Sequence, residues 1–105
     1  MTDALTVALD HAPLPAEQVV AGSPTTGSLV LGDRDGHEIG IWEHTPGVST
    51  DIEVDEVSVV LFGSATVEIA DGETIDLGPG SVLTLTDGMR TTWTVRETLR
   101  KIYVI

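Results

Sequence analysis

Hydrophobic and polar residues exchange places at short range over most of this chain. Ala65-Thr66-Val67-Glu68-Ile69 and Thr74-Ile75-Asp76-Leu77 alternate with a period of two, which puts apolar side chains on one face of a strand and polar ones on the other. Val57–Phe62 is nearly all apolar and predicts a strand covered on both faces. Asp35-Gly36, Pro46-Gly47, Asp71-Gly72, Gly78-Pro79-Gly80 and Asp87-Gly88 are strong turn formers that punctuate the sequence. Strands are therefore predicted over Ser28–Leu31, Glu38–His44, Val57–Phe62, Ala65–Ala70, Glu73–Leu77, Ser81–Leu85, Thr91–Val95 and Lys101–Ile105. No window after residue 27 carries the period of a long amphipathic helix. Short strands parted by frequent turns define an all-β sandwich or barrel.

Residues 1–27 follow another pattern. They hold Pro13, Pro15 and Pro24 and no lysine or arginine. Pro15–Val20 suits one short helical turn with proline at its start, and Ala21–Gly27 reads as loop. Residues 1–27 are expected to form an arm lying across a domain of residues 28–105.

Composition narrows the class further. A chain of 105 residues fits one domain, able to bury roughly 65% of the surface its unfolded form exposes. Trp42, Phe62, Trp93 and Tyr103 are the only aromatic side chains besides histidine, so the core must be mostly aliphatic. Seventeen acids against five bases give a net charge of −12, which repels phosphate backbones and anionic lipid and argues against nucleic acid and membrane partners. With no cysteine, disulfides, thiolate catalysis and thiolate metal sites are excluded. Neither a signal peptide nor a long apolar span is evident, so the expected location is cytoplasmic. Arg90, Arg96, Arg100 and Lys101 gather near the C-terminus while acids crowd Asp51 to Glu56; surface ion pairs between the two are the expected outcome, with an anion-binding cluster as the alternative.

Several spaced blocks resemble the cupin fold. Glu56-Val57-Ser58-Val59-Val60-Leu61-Phe62-Gly63 is similar to the end of the first cupin motif, and the turn Gly78-Pro79-Gly80-Ser81 to the proline-glycine turn that follows it. Gly40-Ile41-Trp42-Glu43-His44-Thr45-Pro46-Gly47, with Thr92-Trp93-Thr94-Val95 and Arg100-Lys101-Ile102-Tyr103, is similar to the small single-domain cupins related to ureidoglycine aminohydrolase and to the ethanolamine-utilisation cupin. The resemblance runs from about residue 28 to 105 and implies an antiparallel double-stranded β-helix, the cupin jelly-roll barrel, commonly dimeric, with a pocket at its mouth. It also implies where metal-binding histidines would stand in relatives. Those positions fall on Glu53 and Asp55 counting from Gly47, or near Thr50 and Ile52 counting from Gly63, and on Thr91 in the second motif. None is histidine, so no metal cofactor is expected. A carboxylate site for a hard divalent ion from Glu53, Asp55 and Glu56 is the alternative; strand alternation would set Glu53 and Asp55 on one face and Glu56 on the other.

Glu56 is the leading candidate for a catalytic group, because a carboxylate pointing into a barrel needs a partner or a raised pKa. Its alternative is an ion pair with Arg90 or Lys101. Ser58 follows on the same face, and Thr91 and Trp93 should share an inward face. With Trp42 and one of the neighbours Glu43 and His44, these form the expected ligand-binding set: Glu56, Ser58, Thr91, Trp93, Trp42 and His44. The expected function is binding of a small polar or amine-bearing metabolite in the barrel. The alternatives are an aminohydrolase- or isomerase-like enzyme using Glu56 as acid or base, and a non-catalytic homodimer that pairs through Val57–Phe62 and Ile102–Ile105.

Overall fold

The computed structural model describes residues 1–105. Its strands are β1 (His11–Pro13), β2 (Val19–Ala21), β3 (Thr25–Arg34), β4 (His37–His44), β5 (Gly47–Ile52), β6 (Glu56–Ile69), β7 (Thr74–Leu77), β8 (Val82–Leu85) and β9 (Arg90–Val104), with a single 3-10 turn at Ala16–Gln18. All pairings are antiparallel. The β3–β4 hairpin turns on Asp35 (φ 53°) and Gly36 (φ 80°), the double left-handed conformation that matches strand twist and that Asp-Gly favours.

Two long strands organise the barrel. The first half of β9 pairs with β5 and its second half with β4, while β6 runs along its other edge throughout. The early part of β6 also pairs with β8 and the late part with β7. One sheet thus runs β3-β4-β9-β6-β8 and the other β5-β9-β6-β7, with β6 and β9 bending from one into the other. Register shifts between Val60 and Ala65 mark the bend in β6, where bulges sharpen curvature. Gly63 sits there at φ 103°, and a Cβ would collide with the Thr98 carbonyl oxygen and lie 2.7 Å from the Leu99 Cα. Only glycine fits.

The structure revises several strand expectations. β5 was not anticipated, because its Ser49 and Asp51 stand opposite Trp93 and Thr91 and its inward positions carry polar side chains. Val57–Phe62 is not covered on both faces. Ser58 and Val60 are buried, whereas Val57 and Val59 are 47% and 39% exposed, so the strand is half-buried despite its uniform hydrophobicity. In the N-terminal stretch, β1 pairs with β3 and β2 with β5. Thr25–Gly27, read as loop, already belongs to β3.

The core is aliphatic around one aromatic: Val60, Ala65, Val67, Ile69, Leu77, Leu83, Leu85, Val95 and Leu99 enclose Trp93. It fills the half of the barrel built from β6 to β9. Trp42 packs against it from β4, its ring 5.5 Å from that of Trp93, and the two indoles form a floor between the packed half and a hollow half.

Candidate functional site

Above the indole floor lies a cavity of about 310 Å³. Its walls come from the N-terminal stretch at Leu14 and Gln18, from β3, β4, β5, the β5–β6 connection, the start of β6 and β9. The lining includes Glu38, Trp42, His44, Ser49, Asp51, Glu53, Glu56, Trp93, Lys101 and Tyr103. On β4, alternation turns Trp42 and His44 inward. Glu43 faces the other way, where His11 Nε2 and Arg100 Nε each lie 2.7 Å from its carboxylate. Arg100 also donates to the Ala4 carbonyl at 3.0 Å, which ties the N-terminal segment over this outer face.

Two carboxylates of the cavity are held in different ways. The Lys101 ammonium donates to Glu56 Oε2 at 2.6 Å and lies 4.6 Å from the Trp42 ring and 4.9 Å from the Trp93 ring. This is a cation caged between two aromatic faces and a carboxylate. The pair is nearly buried, with side-chain exposures of 5% and 13%, so the expectation of surface ion pairs is corrected for Lys101; Arg100 and Glu43 are shielded similarly.

Glu53 has no cationic partner within bonding distance. The Thr91 hydroxyl donates to its Oε2 at 2.6 Å, and the Trp93 indole N–H is shared between that oxygen, at 3.2 Å, and the Thr91 hydroxyl, at 3.0 Å. Burial pushes the Glu53 pKa up and the charge of Asp51 adds to the rise, while the Thr91 and Trp93 hydrogen bonds and Lys101 hold it back. At the rim, Tyr103 donates to Glu38 Oε2 at 2.8 Å. Burial, that hydrogen bond and the negative charges of Glu38 and Glu56 push its pKa up to about 12. The Tyr103 ring lies against Gly40, where a Cβ would collide with the phenol; glycine makes room for it.

The sequence-predicted residues divide accordingly. Glu56, Trp42, His44 and Trp93 line the cavity. Thr91 and Ser58 do not. Thr91 supports the wall by bonding Glu53, and Ser58 is buried with its hydroxyl unpartnered. The face assignment of the three acids is also corrected: Glu53 joins Glu56 at the cavity, while Asp55 turns away and accepts from the Asp87 N–H at 2.9 Å. Residues 53–55 form a connection outside the strands, so alternation does not govern them. Consequently Glu53, Asp55 and Glu56 do not converge, and no group of three His, Cys, Asp or Glu side chains is arranged to hold a metal. The donor set does not fit the ion that relatives' histidines imply, since Glu56 is taken by Lys101 and both nitrogens of His44 are engaged. Sequence reasoning missed Lys101 as a floor element, Glu38 entirely, and the hydrogen-bonded setting of Glu53.

The half-filled antiparallel barrel defines a small one-barrel cupin. Residues 31–103 match the family of EutQ-like cupin domains, and the chain belongs to that family. A protein of unknown function of the DUF861 family from Pseudomonas syringae pv. tomato superposes with a TM-score of 0.82 at 20% identity, covering 97% of this chain and 45% of that one. The chain thus spans less than half of that protein. The Clostridium difficile EutQ protein superposes at 0.66 with 20% identity, over 77% of this chain and 67% of that one. Ectoine synthase from P. lautus gives 0.65 and 21%, over 83% and 66%. These likenesses show the fold. No curated protein matches the chain significantly. No helix is long and apolar enough to cross a membrane.

Proposed function

We propose that the barrel binds a small amine-bearing molecule. The observation that carries this reading is the charge of the cavity wall, which sets Glu38, Asp51, Glu53 and Glu56 against the single ammonium of Lys101. Carboxylates in a partly desolvated pocket attract a cation more strongly than they do in water, and the indole floor offers faces that favour ammonium groups. Lys101 occupies part of that floor, which leaves the ligand the carboxylates nearer the mouth. The reading includes no resident metal.

The test is thermal shift with small amines, carboxylates and neutral polyols against the wild type, Glu56→Gln and Glu53→Gln. Amines are expected to raise the wild-type melting temperature, since a ligand at 100 times its Kd stabilises by about 2.7 kcal/mol, and to do so less in the variants. Stabilisation by carboxylates alone, or by amines equally in all three proteins, overturns the reading. Stoichiometric manganese, iron or zinc in untagged protein overturns its metal-free part.

An enzyme reading is favoured by one observation, the setting of Glu53: one oxygen is fixed by Thr91 and Trp93, and its proton is held above the usual carboxylate range. Glu53, rather than the ion-paired Glu56, is then the acid or base.

The homodimer is retained as a proposal. Val82 stands beside Val59, and Val59 beside Ile102, while Val57 stands beside Val104. Val57, Val59, Val82 and Val104 are exposed, and an apolar sheet face of this kind supports pairing with a second copy.

A further inference from the structure

We infer that Ser49 is an activated nucleophile in this cavity with His44 as its general base, giving the barrel an acyl-transfer activity toward small amine-bearing esters. Only the amine part of the substrate class rests on the binding reading above.

Ser49 lies on β5 and His44 ends β4, and both line the cavity. Ser49 Oγ is 2.8 Å from His44 Nε2, and His44 Nδ1 is 2.6 Å from the Thr45 carbonyl oxygen. A carbonyl can only accept, so the ring proton sits on Nδ1, and the Nε2 lone pair accepts the Ser49 O–H. One tautomer satisfies both contacts. Burial holds the His44 pKa below its ordinary value, against the opposing backbone hydrogen bond, so the imidazole is neutral at pH 7 with its lone pair available. Nucleophile, base and orienting acceptor within hydrogen-bond reach form the pattern of an activated hydroxyl; here a backbone carbonyl takes the orienting place usually held by a carboxylate.

In the first half-reaction the Ser49 Oγ bonds to the ester carbonyl carbon as its proton passes to His44 Nε2. Collapse breaks the acyl carbon–oxygen bond, and the leaving alcohol takes that proton. Water then repeats the sequence, releasing the acid and restoring the Ser49 hydroxyl. Lys101 is the one lysine or arginine on the cavity wall, and the surrounding carboxylates oppose a developing oxyanion, so turnover is slow and covalent labelling is the sharper readout.

The test treats the intact chain with an uncharged alkyl fluorophosphonate, whose phosphorus loses fluoride to an activated serine. Mass spectrometry is expected to find one adduct, on Ser49, absent in Ser49→Ala and formed about 100-fold more slowly in His44→Gln. No adduct on the wild type, an adduct on Tyr103 or another hydroxyl, or an equal rate in His44→Gln overturns the inference. Should His44→Gln fail to fold, hydrolysis of p-nitrophenyl acetate decides: loss in Ser49→Ala supports it, and equal hydrolysis overturns it. Amine-induced thermal shifts without an adduct remove the nucleophile and leave the binding reading; an adduct without such shifts removes only the amine part of the substrate class.

Discussion

Glu53 is a buried carboxyl whose closest charged neighbour in energetic terms, Asp51, repels it. Its pKa in the folded protein therefore lies above the unfolded value, and the folded state binds more protons in the interval between them. Stability associated with the protonated carboxyl is complete below the unfolded pKa and is lost as pH rises through the folded one. Glu53→Gln keeps an acceptor for Thr91 and Trp93 but does not ionise. Its melting temperature is expected to gain on the wild type as pH rises from the unfolded glutamate range through the raised folded pKa, and to hold that lead above it. A gap that stays constant with pH contradicts the assignment. Glu53 stood out in the sequence only through one count of the resembled motif and as a member of the alternative carboxylate site, because nothing local to Ile52-Glu53-Val54 says that Thr91 and Trp93, 38 and 40 residues away, will donate to it. Alternation is local, so it placed Trp42 and His44 on one face of their strand and Glu43 on the other, but it left open which of those faces meets the cavity. Ser58 was misjudged for the complementary reason: alternation turned it inward correctly, yet depth along the barrel, which decides between core and cavity, is not written in a period of two.

At the level of elements, the hairpins and their turns followed from alternation and from Asp-Gly pairs, whereas the joining of short runs into β6 and β9 did not. Apolar stretches on either side of Gly63 look like separate strands, since glycine normally ends one. Here it lets a continuous strand bend. Gly63→Ala tests this, with Gly72→Ala as its control: Gly72 has φ 106°, but an added Cβ there meets nothing within 4 Å. Both substitutions carry left-handed strain of about 1–3 kcal/mol. Only Gly63→Ala adds the collision with Thr98 and Leu99. It is expected to melt at least about 5 °C below Gly72→Ala, since roughly 1 kcal/mol moves a domain of this size by about 4–8 °C. Equal losses would mean that the bend relaxes freely. β5 escaped notice on opposite grounds, because its cavity-facing Ser49 and Asp51 are polar, and the alternating Val48 and Ile52 are only two apolar positions, the second of them exposed.

On the scale of the whole molecule, a net charge of −12 disfavours close approach of two copies except where charge is absent. The exposed valines of β6, β8 and β9 supply such a face. Light scattering at micromolar concentration is expected to give a dimer, and Val59→Asp a monomer with its fold intact by circular dichroism; a wild-type monomer removes the dimer. The cupin fold as a whole was readable because it depends on the order of turns and strands, and the contents of the barrel were not, because they depend on pairs of residues distant in the chain. The indole floor has a consequence for how such a protein can change over time. Below it, aliphatic packing fixes the scaffold; above it, the wall side chains are tied in polar pairs such as Glu56 with Lys101, Glu38 with Tyr103 and His44 with Ser49. New specificities can therefore arise by exchanging these pairs, two positions at a time, with the foundations left undisturbed.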